Sequence, residues 1–192
     1  LFSDGVLLPA ELVRRCEAKG FRGLAITDHV DYSNIDMVIP NVLKACKEIA
    51  AVAKIKILGG AELTHIRPEH IKSMVKMAKS LGACIVLVHG ETITEPVLPG
   101  TNRAAIEAGA DILVHPGLIS EDDAKLAKAN GVRLEISGSK GHAYANGHVA
   151  KMAKKVGAKL IFGSDSHTPD DLLDRNRAEC IARGAGLEEK DI

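Results

Sequence analysis

The chain has 192 residues, is 46% hydrophobic, and balances 25 Lys and Arg against 25 Asp and Glu for a formal net charge of zero. That length suits one domain with a sizeable core, so residues 1–192 are read as a single domain, and the neutral charge gives no electrostatic footprint for nucleic acid. No apolar run approaches the roughly 18 residues of a membrane span, no signal peptide is recognisable, and Cys16, Cys46, Cys84 and Cys180 form no C-x-x-C pair, which leads to the expectation of a cytoplasmic protein with reduced thiols.

In chain order, Ser3-Asp4-Gly5 is a turn signal. Pro9 then opens a helix with Leu12, Val13 and Cys16 on its apolar stripe, and Gly20 stops it. Gly23 to His29 reads as a strand, and Val30 to Ile39 as a long polar loop that either covers a site or is ordinary surface. Pro40 is expected to open a second helix carrying Val42, Leu43, Cys46, Ile49, Ala50 and Ala53 at helical spacing. A strand runs from Ile55 to Glu62, then Pro68 opens a helix whose Ile71, Met74, Val75 and Ala78 face inward. His65 sits in the connecting loop and could edge a site, whereas His70 reads as surface.

A strand from Cys84 to His89 precedes a loop with Pro96 and Pro99. Thr101 is expected to cap the next helix, with Arg103 in its first turn. The strand from Asp111 to His115 leads to a helix capped by Ser120, whose first turn holds Glu121, Asp122 and Asp123. The strand from Val132 to Ser137 runs into a Gly-rich loop up to His148, a residue read as structural. That loop, with Lys140 and exposed backbone N–H groups, is either a phosphate cradle or a mobile surface loop. Lys159 to Phe162 is the last strand, followed by Gly163-Ser-Asp-Ser-His167; Pro169 is expected to open the last helix, and the tail from Gly184 is polar.

Five of these six strands end in His, Glu or Asp: Asp28 and His29, Glu62, His89, His115, and the Asp165/His167 pair. In parallel α/β folds the site lies at the carboxyl ends of the strands. Any one of these histidines alone is better read as a core residue, but together they read as a multinuclear metal cluster. Strands alternating with helices, nearly all of them contributing, predict an α/β fold, a distorted (β/α)7 barrel of TIM type whose first strand is missing or truncated; an open doubly wound sheet is the alternative.

With Ser3-Asp4-Gly5, Thr27-Asp28-His29, Gly60-Ala61-Glu62, His89, His115-Pro116 and Asp165-Ser166-His167 in this order, the chain resembles the PHP family (polymerase and histidinol phosphatase), in particular its small stand-alone phosphoesterases. The resemblance implies up to three divalent metal ions, Zn, Mn or Fe. Glu62, His89 and His115 would hold one, and Asp4, His29 and His167 a second. Glu62 and Asp165 would share the third with a His-x-His pair that family members carry before Ser-Asp-Gly, expected here to lie upstream of Leu1. Glu62, Asp165 and His167 are expected to be catalytic, around a metal-bridging hydroxide that attacks a small-molecule phosphomonoester. Position alone, rather than a family motif, suggests Arg103, Lys140 and His142 as phosphate contacts. The competing readings are an amidohydrolase-like C–N hydrolase, against which stands the lack of a metal-bridging lysine at a strand end, and a non-catalytic barrel binding a phosphorylated ligand. Neither the substrate nor the oligomeric state is legible in the residues.

Overall fold

The computed structural model describes residues 2–191. Among these residues seven parallel strands and seven helices follow in the order α1 (Pro9–Ala18), β1 (Gly23–Ile26), β2 (His29–Val30), α2 (Ile35–Ala50), β3 (Lys56–Leu63), α3 (Pro68–Ser80), β4 (Ile85–His89), α4 (Thr101–Glu107), β5 (Ile112–Val114), α5 (Glu121–Asn130), β6 (Arg133–Ser137), α6 (Asn146–Val156), β7 (Leu160–Gly163) and α7 (Arg175–Gly184). The sheet order is β1-β3-β4-β5-β6-β7, with β2 also on β3. Every pairing is parallel. This is the expected α/β, TIM-like barrel, and it is open between β7 and β1, which do not pair among the described residues.

The predicted strand Gly23–His29 is interrupted. β1 and β2 keep one register on β3, with Gly23 opposite Lys56 and His29 opposite Glu62. The break falls at Thr27-Asp28 because the Asp28 carboxylate is turned toward the N-terminal segment. Its Oδ1 accepts from the backbone N–H of Phe2 (2.7 Å) and Ser3 (3.1 Å) and from the Ser3 hydroxyl. Pairing survives the break, since the Glu62 N–H donates to the Asp28 carbonyl (2.9 Å).

The segment before α1 is also tied to the end of β7, where the Val6 N–H donates to the His167 carbonyl (2.9 Å). A cavity of about 820 Å³ opens between β1, β7 and α1. Leu24, Leu87, Ile161 and Phe162 give it apolar walls, and it runs up to Asp4, His29, Glu62, Asp165 and His167.

Side chains two apart on a strand share a face. The outward-facing Leu63, Val86, Val88, Leu113, Leu134 and Ile136 are fully buried under the helices, against Val38, Ile39, Val42, Ile71, Ala105, Ile106 and Ala127. The inward face carries Glu62, Leu87, Val114 and Glu135 into the barrel. Packing therefore belongs to the outer face and chemistry to the inner one.

Three predicted boundaries move. The second helix starts at Ile35, not Pro40, so half of the expected Val30–Ile39 loop is helical and Pro40 lies inside α2. Ile35, Val38, Ile39 and Val42 are buried on one stripe, and that burial outweighs the hydrogen bond Pro40 cannot make. Its missing partner, the Asp36 carbonyl, belongs to an exposed residue, as Pro40 itself does. Pro169 opens only a 3-10 turn, Pro169–Asp171, held by a capping box between Thr168 and Asp171; α7 starts at Arg175, where the Asp174 carboxylate accepts from the Arg177 N–H. Gly100, in the left-handed region at φ 93°, takes the cap position expected for Thr101. Ser120 caps α5 as expected, accepting from the Asp123 N–H. No described helix is long and apolar enough to cross a membrane.

Candidate metal centre

The carboxyl ends of the strands bring His29, Glu62, His89, His115, Asp165 and His167, and the segment before α1 brings Asp4, to one end of the barrel, where their potential ligand atoms fall into groups lying within 4.8 Å of one another. Asp4, His29 and His167 form one such group, as the resemblance implies. Glu62 groups with His29 and Asp165, and His89 and His115 group with His142. Glu62 still lies between the groups, its Oε1 3.6 Å from His115 Nε2 and 3.7 Å from His29 Nδ1.

Four imidazoles are oriented in the same way. His89 Nδ1 lies 3.1 Å from the Gly90 carbonyl, and His167 Nδ1 lies 3.0 Å from the Asp165 carbonyl. A carbonyl only accepts, so both Nδ1 atoms carry the proton. His115 Nδ1 faces Glu135 Oε2 at 3.1 Å, and the same oxygen accepts the His115 backbone N–H at 2.8 Å. His29 Nδ1 lies 2.7 Å from Thr64 Oγ1, whose hydroxyl donates onward to the Glu62 carbonyl (3.2 Å). With each Nδ1–H occupied, the neutral ring presents a bare Nε2 to the centre. Metal-binding histidines are held this way, the second nitrogen donating to a carboxylate, hydroxyl or carbonyl that sets tautomer and ring angle.

Those bare nitrogens face electron-rich partners. His29 Nε2 and His167 Nε2 are 3.0 Å apart, and His167 Nε2 is 3.3 Å from Asp4 Oδ2. Buried His115 Nε2 and Glu62 Oε1 have no hydrogen-bond partner. Among the described residues no ion pair brings a lysine or arginine to Glu62, Glu135 or Asp165. Buried charge of this kind needs a counter-ion. Orphaned acceptor atoms on both an imidazole and a carboxylate, with no cationic side chain between them, fit a divalent cation.

The protonation pattern of the metal-free chain follows from the same geometry. Burial, then Asp165, Glu135, Glu95 and Asp4, push the Glu62 carboxyl well above the usual carboxylate range. Burial holds His89 well below the usual imidazole range and brings His115 down to about 3. Glu135 is raised to about 7 by burial, opposed by the hydrogen bond from His115. For His167, burial lowers and Asp165 and Asp4 raise, and the net displacement is upward.

Backbone strain concentrates here. The three non-glycine residues with positive φ among the described residues are His65 (53°), His115 (31°) and Asp165 (47°). Such conformations persist where the surroundings over-determine them and cluster at functional sites.

The other expected contacts are dispersed. Arg103 turns away to pair with Asp123 on α5 (2.7 Å), and Lys140 is exposed on the loop after β6. His142 joins the centre, its ring stacked on His115 with centroids 3.9 Å apart. His65 edges the site through Glu95 (3.1 Å). His70 meets Tyr32 on the surface (2.8 Å), and His148 is half-buried against the Ile119 carbonyl (2.8 Å). Sequence reading missed Glu135 and Glu95. Glu135 had a signal, a carboxylate in the middle of the apolar strand Leu134-Glu-Ile136; Glu95 lies in a loop with none.

Glu135 gives a first prediction. Glu135→Gln keeps the shape but removes the negative charge of the oxygen that accepts both His115 N–H groups, so it weakens the hold on His115 Nδ1–H. Metal affinity should fall by about 10–100-fold, as for other changes behind a ligating histidine. Isothermal titration with Mn²⁺ or Zn²⁺ checks this, and an unchanged affinity would detach Glu135 from the centre.

Comparison with known proteins bears on this geometry. The PHP domain family model matches residues 1–115. An uncharacterized protein of Methanocaldococcus jannaschii is 45% identical over 194 residues, covering 100% of this chain and 89% of that protein. A probable phosphatase of a Shewanella species (strain ANA-3) is 36% identical over 107 residues, 45% of this chain and 42% of that one. Among solved structures, a Lactococcus lactis histidinol phosphate phosphatase complexed with zinc, L-histidinol and phosphate superposes with a TM-score of 0.66 at 17% identity, covering 97% of this chain and 90% of that one. With a family match over more than half of its length, the chain belongs to the PHP domain family.

Proposed function

We propose that the chain is a metal-dependent phosphoesterase that hydrolyses a small-molecule phosphomonoester. The observation that carries this is the gathering, at one end of the barrel, of four imidazoles, each with Nδ1–H engaged and Nε2 bare, around the buried Glu62 and the partly buried Asp165 carboxylates. The probable-phosphatase relative and the histidinol phosphate phosphatase fold support the same reaction class.

Asp4, His29, Glu62, His89, His115, Asp165 and His167 would hold the ions. When bound, divalent ions supply an activated water at neutral pH and positive charge for the phosphoryl oxygens. The protein residues then have separable tasks. Glu62, buried and lying between the groups, would hold their spacing. Asp165 and His167 line the cavity between β1 and β7. His167 Nδ1–H donates to the Asp165 carbonyl and lies 3.7 Å from Asp165 Oδ1, so the two residues are held side by side and would take and return a proton. Lys140, exposed on the loop after β6, would supply positive charge to an incoming phosphate only by reaching in from that loop. Arg103 could do so only by leaving Asp123.

The test is chelation followed by readdition. The stripped protein should not hydrolyse p-nitrophenyl phosphate, and Mn²⁺, Zn²⁺ or Fe²⁺ should restore turnover. Silence toward phosphomonoesters together with metal-dependent cleavage of N-acyl amino acids would move the assignment to the amidohydrolase class.

A further inference from the structure

We propose that His142 is itself a metal ligand, which makes the inner site a three-imidazole site of His89, His115 and His142. This rests on the metal-centre reading above and adds to it a residue that the family motifs do not supply. His142 begins the 3-10 turn His142–Ala145 that follows β6, so its ligand atom reaches the centre from a loop and not from a strand end.

Three observations place it there. The first is orientation: His142 Nδ1 lies 2.8 Å from Thr92 Oγ1, and Thr92 Oγ1 lies 3.1 Å from Thr94 Oγ1. With the Thr92 hydroxyl donating to Thr94, Thr92 accepts from His142 Nδ1–H, and Nε2 is left bare in the manner of the four expected ligands. The second is aim: that Nε2 points at carboxylates, 3.4 Å from Glu95 Oε1 and 3.6 Å from Asp165 Oδ2. His89 Nε2, bare because its Nδ1–H serves Gly90, faces the other oxygen of Glu95 at 3.2 Å. A lone pair opposed to a carboxylate oxygen is attractive only with positive charge between them. The third is grouping: the ligand atoms of His89, His115 and His142 all lie within 4.8 Å of one another, whereas Glu62 joins His29 and Asp165 instead.

The donor set selects the ion. Three neutral imidazoles beside one carboxylate suit Zn²⁺ or Co²⁺ in a four-coordinate site, and suit Mg²⁺ or Mn²⁺ poorly. Glu95, on the loop between β4 and α4, is the carboxylate facing two of the three Nε2 atoms and would balance the charge of the ion they share.

Cobalt titration of the metal-free protein tests this, read by visible d–d absorption and by elemental analysis after dialysis. Wild type should bind with a distinct high-affinity step. His142→Gln should lose one ion per chain, or weaken that step at least about ten-fold, and change its d–d bands, while the remaining steps persist. His142→Glu, the same size but ligand-competent, should retain the stoichiometry; circular dichroism confirms that both variants fold. Wild-type cobalt binding with an unchanged step and spectrum in His142→Gln would overturn the role of His142 alone. Absence of cobalt binding by wild type would overturn the metal centre, and this proposal with it.

Discussion

Replacing Glu62 by Gln should lower metal-dependent phosphomonoester hydrolysis by at least about a hundred-fold in kcat, about 2.7 kcal/mol of barrier. Glu62 is 5% exposed at the end of β3, and its Oε1 lies within 3.7 Å of both His29 and His115. Gln keeps the shape and removes the charge, so the site should lose the anion that sets the spacing of its cations while the fold stays intact. The same variant carries a second signature with a defined sign. The Glu62 pKa is raised by burial above its unfolded value. Its contribution to stability is therefore fully present below the ordinary glutamate pKa and is lost as pH rises through the folded value. Without metal, Glu62→Gln should then be more stable than wild type at pH 8, and the advantage should vanish near pH 5. With metal the order should reverse, because wild type gains more from the ion. Turnover near the wild-type level at saturating metal, or a metal-free variant less stable than wild type at pH 8, would remove Glu62 from the centre.

The barrel was legible because its signals are local. Apolar runs such as Cys84-Ile-Val-Leu-Val-His89 carry their own strand signature, and a polar residue at the end of each run needs no knowledge of the neighbouring strands. Six candidate ligands, His29, Glu62, His89, His115, Asp165 and His167, could therefore be picked out before any geometry was known, whereas Asp4 came only from the resemblance to the PHP family. How they pair was not legible. Whether Glu62 sits with His89 or with His29 depends on sheet curvature and on the break at Asp28, neither of which has a local pattern. His142 and Glu95 reach the centre from loops, where side-chain direction is set by Thr92 and by the turn after β6 and not by a period of two. Glu135 was hidden for a different reason. A carboxylate inside an apolar strand is expensive and reads as an outward residue until the His115 N–H groups that satisfy it are seen. The start of α2 shows the converse, a rule about Pro40 outvoted by the burial of Ile35, Val38 and Ile39.

Gly60→Ala should be the most destabilising single-methyl change in the sheet. Gly60 lies in β3 opposite Ile85 of β4, on the inward face two residues before Glu62. A Cβ at this position would overlap the Ile85 carbonyl oxygen and crowd Ile85 Cγ2. The carbonyl belongs to the paired strand, so no rotamer change relieves the clash, and the two strands must separate. β3 also pairs with β1 and β2, so the shift spreads across the broken edge and displaces Glu62 and His29. Overpacking of a tight interior costs about 1–3 kcal/mol even where side chains can adjust, so a backbone clash should reach about 3 kcal/mol, a fall in Tm of roughly 6–12 °C for a chain of this length. Gly147→Ala is the matched control. It lies in α6 with open space around the added methyl, and should gain about 0.5–1 kcal/mol from the reduced freedom of the unfolded chain. Differential scanning calorimetry on the two metal-free variants separates the cases. If Gly60→Ala melted with wild type, β3 and β4 would have to be spaced more loosely than this register allows, and the placement of Glu62 beside His29 and His115 would fall with it.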